Sequence, residues 1–418
     1  MAHLLMVESW VGSMSRLLPR AIREGGHEFT FLTRDLHHYL RSASEGASHP
    51  LLGARNIITA DTNDTGALLP EIERLHAALR FDGVLTSCDY YLPTVARIAG
   101  HLGLPGSPPA AVENACRKDA TRRVLADAGV PGPRFAVREE WAGISRAAWE
   151  MGYPLVVKPV DLCAGMYVRR VEDEEQLAAA VGALADFPVN ARGQRRRPAV
   201  LIEELLDGPE VSVETVSHAG AVHVVGVTDK SIGGAPAFIE TGHMFPAALS
   251  AADMEAAERT ALAALEALGL TDGVVAHTEI KLTSDGPRVV EVNPRPAGNR
   301  ITELVRHVTG VDLAAAFVDV SLGRAPDLRR SDTGLRSAAI GFLVPDTSGT
   351  LASLGGGDLR DAAGVLEVQL AEPGRQVKAA GSNNEYLGHV MAVDAEGPGA
   401  RDQVEALLGE LRSGMVIR

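Results

Sequence analysis

Along the first hundred residues, short apolar runs alternate with longer segments whose apolar positions recur at helical spacing. "HLLMVE" and "HEFTFLT" read as buried strands, and "SRLLPRAIREGG" between them as a helix closed by glycine. "ARNIITAD", "LLPEIERLHAALR", "FDGVLTS" and "YYLPTVARIAGHLG" keep the same alternation. Strand–helix alternation of this kind predicts a parallel sheet covered by helices, an α/β architecture. A dinucleotide-binding turn would need G-x-G-x-x-G after the first strand, and "ESWVGSMS" does not supply it. Residues 1–107 are therefore expected to be Rossmann-like in architecture without that fingerprint.

Beyond the Pro-rich boundary "LPGSPPAAVENA" the pattern changes. A helix in "CRKDATRRVLADAG" precedes a strand, "PLVVKPV" is a β run carrying one lysine, and "EEQLAAAVGALADF" is helical. "AVLIEELL" returns to strand or hinge, after a polar loop with a basic knot, "PVNARGQRRRP". Alternating strands fill 209–246 and a helix covers 251–268. Near residue 330 the composition shifts, predicting a small C-terminal lobe of short strands with the turn "SLGGGDL" and a terminal helix, "ARDQVEALLGELR". The expected organisation is 1–107, 108–202, 203–328 and 329–418, with α+β character in the two middle lobes. No internal repeat is present.

Composition narrows the function classes. At 418 residues the chain exceeds one ordinary domain, and 46% hydrophobic residues supply a sizeable core. A formal net charge of −14 argues against nucleic acid or an anionic membrane as a partner, though not against a small anionic ligand. Cys88, Cys116 and Cys163 are far apart, with no CxxC, which fits a reducing cytoplasm. "MAHLLMVESW" lacks a basic region followed by a long apolar core, so no secretory signal is expected. No run approaches the roughly 18 to 20 apolar residues of a membrane span.

The chemistry gathers in "VVAHTEIKLTSDGPRVVEVNPRPAGNR". Glu291 and Asn293, two apart on an apolar strand, face one way, and Glu279 sits on the preceding strand. Together they offer four carboxylate oxygens and an amide oxygen, the hard ligands that Mg²⁺ takes while it bridges to substrate phosphates. Arg295 adds a planar donor fork for a phosphate or carboxylate. Upstream, Lys158 inside "PLVVKPV" would be costly to bury without an anionic partner, and "DLCAGMYV" after it is a glycine-containing turn able to approach anionic oxygens. Lys118, at a helix start, is a second cation of that kind. Glu203, Glu204 and Glu210 in "VLIEELLDGPEVSVE" can accept from an exocyclic amine or ribose hydroxyls. Taken singly, Glu279, Glu291, Asn293 and Arg295 are each more often solvated residues, and a lone lysine such as Lys118 usually is; the order of the whole set along the chain is the stronger signal.

That order (Lys118, "VVKP", "IEELLDGPE", "HTEIKL", "EVNPRPAG") resembles the ATP-grasp carboxylate–amine ligases over about residues 1 to 325. The resemblance implies an ATP-grasp fold with a small lid lobe over 108–202 and a large lobe over 203–328 that carries the Mg-ATP site. It implies ATP and Mg²⁺, with Mn²⁺ as a substitute. Lys118 and Lys158 are then the phosphate lysines, Glu203 and the Glu204–Leu206 backbone the adenine hinge, and Glu210 the ribose ligand. Glu279, Glu291 and Asn293 are the metal set, and Arg295, Lys158 and Gly298 the catalytic residues. "HTEIKL" and "DKSIGGAPAFIETGHMFPA" are similar to L-amino-acid ligases of the alanine–anticapsin ligase type, which places Glu240, His243, His277 and Arg295 at the substrate. Met244 and Phe245 are assigned to packing, and Cys163 to a small hydrophobe without a catalytic role. "VDLCAGMYV" departs from the family in lacking the Ser-Ser-Gly often found in the phosphate loop.

The implied reaction joins a carboxylate, expected to be an amino acid, to an amine through an acyl phosphate, releasing ADP and phosphate. The implied partners are small molecules and a second copy of the chain in a homodimer. The alternatives are a purine-biosynthesis-type carboxylase or formyl-transfer ligase, and a non-catalytic ATP sensor.

Overall fold

The computed structural model describes residues 1–9, 12–40, 49–355 and 359–418. Residues 10 and 11 of "ESWVGSMS" and 356–358 of "SLGGGDL" lie outside them.

The N-terminal alternation runs β1 (His3–Val7), α1 (Met14–Glu24), β2 (Glu28–Thr33), α2 (Leu36–Leu40), β3 (Asn56–Thr59), α3 (Thr65–Leu79), β4 (Gly83–Leu85) and α4 (Leu92–Leu102). Its strands pair in parallel in the order β3-β2-β1-β4. Every residue of β1 is buried, as a central parallel strand covered on both faces requires.

Two helices, α5 (Pro109–Cys116) and α6 (Lys118–Asp127), lead into an antiparallel sheet. It comprises β5 (Phe135–Arg138), α7 (Trp141–Met151), β6 (Leu155–Pro159), β7 (Arg169–Val171), α8 (Glu174–Ala185) and β8 (Val200–Glu204), in strand order β5-β8-β6-β7. The start of α8 is set by Asp173, whose side chain accepts from the Gln176 amide, with Glu174 and Glu175 favourably placed in the first turn.

The rest of the chain supplies β9 (Glu210–His218), β10 (Ala221–Gly233), β11 (Ile239–Phe245), α9 (Ala251–Leu268), β12 (Val274–Thr283), β13 (Gly286–Asn293), α10 (Ile301–Thr309) and α11 (Leu313–Ser321). It continues with β14 (Ser337–Leu343), β15 (Gly349–Ser353), β16 (Val365–Leu370), β17 (Gln376–Val377), β18 (Gly388–Asp394), α12 (Ala400–Ser413) and β19 (Val416–Ile417). Eight of these strands form one antiparallel sheet, ordered β13-β12-β9-β10-β11-β14-β18-β16. β14 pairs with β11, so β14, β18 and β16 continue the large sheet. Among the described residues, β15, β17 and β19 form a small sheet of their own.

One apolar core joins the N-terminal lobe to the large sheet, with Leu18 and Phe29 packed in the same cluster as Leu304, Phe317 and Ile340. That shared core fixes the C-terminal ends of the parallel strands against the residues that follow β13. Among the described residues, no helix is long and apolar enough to cross a membrane.

Candidate active site

Strand register builds the floor of the site. Glu279 on β12 stands directly opposite Glu291 on β13, and His277 opposite Asn293. Directly opposed residues on antiparallel strands bring their side chains close together, so two carboxylates and an amide converge. A register shift between Glu279 and Ile280 breaks the ladder just beyond that pair. Neither carboxylate stands alone: Glu291 meets Lys118 Nζ at 2.9 Å and Glu279 meets Lys230 Nζ at 2.8 Å. Among the described residues, no three acidic, histidine or cysteine side chains close a cage by themselves. The donor set fits Mg²⁺, which needs few protein oxygens where substrate phosphates supply others.

A cavity of about 630 Å³ opens above this floor, lined by Lys118, Lys158, Glu203–Leu206, Glu210, Glu240, His277, Glu279, Glu291, Asn293, Arg295 and Gly298. Nearly every predicted site residue therefore faces one space. His243 does not line it. It lies behind the wall, 2% exposed, with its ring against Phe342; its Nε2 is 3.1 Å from Glu240 but poorly aligned for a hydrogen bond. Met244 and Phe245 are buried as packing residues.

Lys118 opens α6 and donates to the Leu162 carbonyl at 2.7 Å as well as to Glu291. Burial opposes its charge, but Glu291 outweighs burial and holds its pKa above the usual lysine value. Lys158 meets Glu203 at 2.7 Å. The other oxygen of Glu203 is taken by Arg122, whose guanidinium also donates to the Val289 and Val290 carbonyls, at 3.1 and 2.7 Å. Glu203 is thus held between two cations at the cavity wall. Glu204 is similarly engaged: its carboxylate accepts from Arg134 N and Nε, and its amide donates to the Arg134 carbonyl at 3.1 Å. All four hinge residues, Glu203–Leu206, line the cavity. The turn after them needs glycine, since Gly208 has φ of +132° and a Cβ there would lie 2.1 Å from the Leu282 carbonyl.

Burial would raise the Glu203 carboxyl, but Arg122 and Lys158 outweigh it and bring the pKa from 4.5 down to about 2. Its contribution to stability is therefore complete above pH 4.5 and is lost as pH falls through about 2. Glu203→Gln is expected to destabilise the fold by about 3 kcal/mol near neutrality, because it strips two buried cations of their counter-charge. Thermal unfolding across pH checks this: the gap between the two proteins should narrow as pH falls from 4.5 towards 2.

The phosphate-loop candidate after β6 has an unusual backbone. Ala164, Gly165 and Tyr167 all have positive φ (56°, 66° and 58°), a conformation that costs energy at the two non-glycine positions. The Asn383 amide donates to the Ala164 carbonyl at 3.1 Å and holds the loop from the C-terminal segment.

Several of the site's charged partners, Lys230, Glu214 and Asp89 among them, were not anticipated from the sequence. Lys230, its side chain 1% exposed, lies 3.0 Å from Glu210, 2.8 Å from Glu279 and 3.4 Å from Glu240. Burial disfavours its charge, and Glu240, Glu279 and Glu210 together hold its pKa well above the ordinary range. Glu240 also accepts from Asn299 Nδ2 at 2.5 Å, while its backbone is held by Asn383 and Tyr386 at 2.9 and 2.7 Å. His277 bonds Glu214 through Nδ1 at 3.0 Å and faces Glu279 through Nε2 at 3.3 Å. Burial opposes protonation of His277, but Glu214 and Glu279 prevail and raise its pKa to about 9. Arg295 donates through Nε to Asp89, in the turn after β4, at 2.6 Å and through Nη1 to the Pro296 carbonyl at 2.9 Å. The alternation in "VTDKSIGG" could have flagged an inward lysine; nothing local marked Asp89 or Arg122.

Residues 20–106, 151–303 and 341–416 match, in turn, the families described as ATP-grasp N-terminal domain, ATP-grasp domain and L-amino acid ligase C-terminal domain 2. The chain is 32% identical over 377 residues to protein y4rH of Sinorhizobium fredii, covering 89% of this chain and 77% of that one. This chain belongs to the ATP-grasp family. As an ATP-grasp protein it is a member of a family of ADP-forming carbon–nitrogen ligases, with amino-acid ligases among its relatives. It is 31% identical over 280 residues to human carnosine synthase 1 (63% of this chain, 33% of that one). Alanine–anticapsin ligase of Bacillus amyloliquefaciens is 27% identical over 280 residues (62% and 58%). The chain thus spans a third of the carnosine synthase and little more than half of the alanine–anticapsin ligase. The fold of this ATP-grasp chain matches the crystal structure of an L-amino acid ligase from Bacillus licheniformis, with a TM-score of 0.80 at 24% identity over 100% of this chain and 98% of that one.

Proposed function

We propose that this ATP-grasp ligase activates a carboxylate, expected to be that of an amino acid, as an acyl phosphate and joins it to an amine, releasing ADP and phosphate. The observation that carries the proposal is the single cavity that collects Lys118, Lys158, the opposed Glu279 and Glu291, Asn293 and Arg295. On this reading Lys118 and Lys158 neutralise the phosphates of ATP, Leu205 and Leu206 edge the adenine, and Glu210 faces the ribose. Glu279, Glu291 and Asn293 would hold Mg²⁺ or Mn²⁺, which supplies charge neutralisation at the transferred phosphoryl group. Glu240, His277 and Gly298 line the substrate end. His243 supports Glu240 from behind the wall.

Phosphoryl transfer needs positioning and charge stabilisation more than covalent help from the protein, and the cavity offers those. Lys118 is paired to Glu291 and Lys158 to Glu203, so both ammonium groups are pre-aimed rather than recruited from solvent. Arg295 is oriented by Asp89, and its Nη2 makes no hydrogen bond among the described residues, leaving it for an oxygen of the phosphoryl or acyl group. We assign the lobes as 1–107, 108–202, 203–328 and 329–418, and the protein to the cytoplasm, as a homodimer.

Arg295→Lys is expected to lower kcat by roughly 100-fold while leaving ATP affinity nearly intact, because an ammonium cannot reproduce the fork. Parallel measurement of ATP binding and turnover separates the two effects. The proposal itself is tested by an ADP-release screen over pairs of amino acids and other carboxylates, with mass spectrometry of the product. ADP release that needs both a carboxylate and an amine supports it; bicarbonate or formate as the sole activating acid would favour the purine-biosynthesis type.

A further inference from the structure

The cavity wall contains a guanidinium that no carboxylate of the described residues pairs with directly. Arg192 belongs to the loop between α8 and β8, lines the cavity, and is half-buried. Its side chain meets Cys88 and the Tyr39 ring, 5.5 Å from its Cζ, with a long 3.4 Å approach of Nη1 to the Tyr39 hydroxyl. The titratable groups around it are Cys88, Tyr39, Tyr91 and Glu8. Glu8 is already saturated, accepting from Thr33, the Arg34 amide, Tyr39 and Thr62. Burial disfavours the Arg192 charge, and its neighbours, Glu8 among them, more than offset that. No carboxylate of the described residues bonds the guanidinium, so its fork is left to take one from a substrate in the cavity it lines.

The backbone beneath Arg192 is built to hold it there. Its carbonyl accepts from Arg34 Nη2 at 3.0 Å and from Asn63 Nδ2 at 2.9 Å, both in the N-terminal lobe. Its amide donates to Asn190 Oδ1 at 2.9 Å, and Gln194 Nε2 donates to the Tyr90 carbonyl at 3.2 Å. Cys88 and Tyr90 flank Asp89, the residue that orients Arg295. Two guanidinium groups therefore border the same three-residue turn. One of them is engaged with Asp89, and the other has no carboxylate partner among the described residues.

We propose that Arg192 binds a non-reacting carboxylate of a substrate and makes the enzyme select for it. This rests on the ligase reading above and adds a substrate class: either the amine is an amino acid rather than a simple amine, or the activated acid carries a second carboxylate. Because Arg192 is positioned by contacts between its loop and the N-terminal lobe, recognition of that group depends on the loop being docked. Arg192 acts on specificity, and the reacting atoms are handled by Arg295.

The full chain is assayed for ADP release in two arms. In the amine arm each common L-amino acid is compared with its α-amide; in the acid arm L-aspartate and L-glutamate are compared with L-asparagine and L-glutamine. The wild type should prefer the anionic form in one arm by at least about ten-fold in kcat/KM, and that arm identifies the source of the carboxylate. Arg192→Gln should raise KM for the anionic substrate roughly 10- to 100-fold, erase the preference, and leave KM for ATP unchanged. Arg192→Lys should restore part of the preference. A preserved preference in Arg192→Gln, or an equal loss for charged and neutral forms, overturns the proposal. Absence of ADP release by the wild type with every pair would overturn the ligase reading instead. Calorimetric binding of the same amino acids in the presence of a non-hydrolysable ATP analogue then decides on Arg192: binding weakened in Arg192→Gln supports it, and equal binding refutes it.

Discussion

Glu291→Ala is expected to abolish ATP turnover, by roughly 1,000-fold or more, while the protein still folds. Glu291 is three-quarters buried and stands opposite Glu279, so its removal halves the carboxylate charge available to a divalent cation. It also frees Lys118, which meets Glu291 at 2.9 Å and donates to the Leu162 carbonyl as well. The fold should tolerate the change because Lys118 keeps that second acceptor and Glu291 lies at the cavity rather than in an apolar cluster. Circular dichroism and ADP release, measured on one preparation, check both halves. Near-wild-type turnover in a folded variant would remove Glu291 from the metal set.

The second large effect concerns Lys230→Met, which conserves much of the side-chain volume but removes the charge. Its ammonium is the common neighbour of Glu210, Glu240 and Glu279. These three residues are assigned to ribose, substrate and metal. Without Lys230 they repel one another in a buried space, and removal of one member of such a network costs about 3–5 kcal/mol. The expected outcome is a clearly lowered unfolding temperature together with at least a 100-fold loss of kcat/KM. Magnesium at high concentration should recover part of the lost stability, since a divalent cation on Glu279 replaces some of the missing positive charge. A variant as stable and as active as the wild type would show that the three carboxylates do not need the lysine.

The parallel N-terminal sheet was legible because each strand is an apolar run between helical segments, a local property. So was the pair Glu291 and Asn293, two residues apart on one strand. Their opposition to Glu279 and His277 followed from a short hairpin between β12 and β13. What stayed hidden depends on sheet order and lobe packing. Lys230 reaches Glu279 across β9, which lies between β10 and β12 in the sheet. Asp89 and Arg295 are 206 residues apart in sequence, and Arg122 and Glu203 are 81 apart. Pairings at such separations leave no periodicity to detect. Read locally, "ATRRVLAD" is a solvated basic helix, yet Arg122 within it is 4% exposed. The joining of the C-terminal strands to the large sheet was hidden for the same reason: their local pattern is that of short strands, and nothing in it states that β14 will pair with β11.

The central claim is that a carboxylate is activated by phosphoryl transfer in the cavity above Glu279 and Glu291. Hydroxylamine tests it directly when it replaces the amine in reactions containing enzyme, ATP, Mg²⁺ and a carboxylate that supports turnover. The account predicts a hydroxamate that accumulates one for one with ADP and inorganic phosphate, and none with Glu291→Ala. Hydroxamate formed together with AMP and pyrophosphate would contradict it.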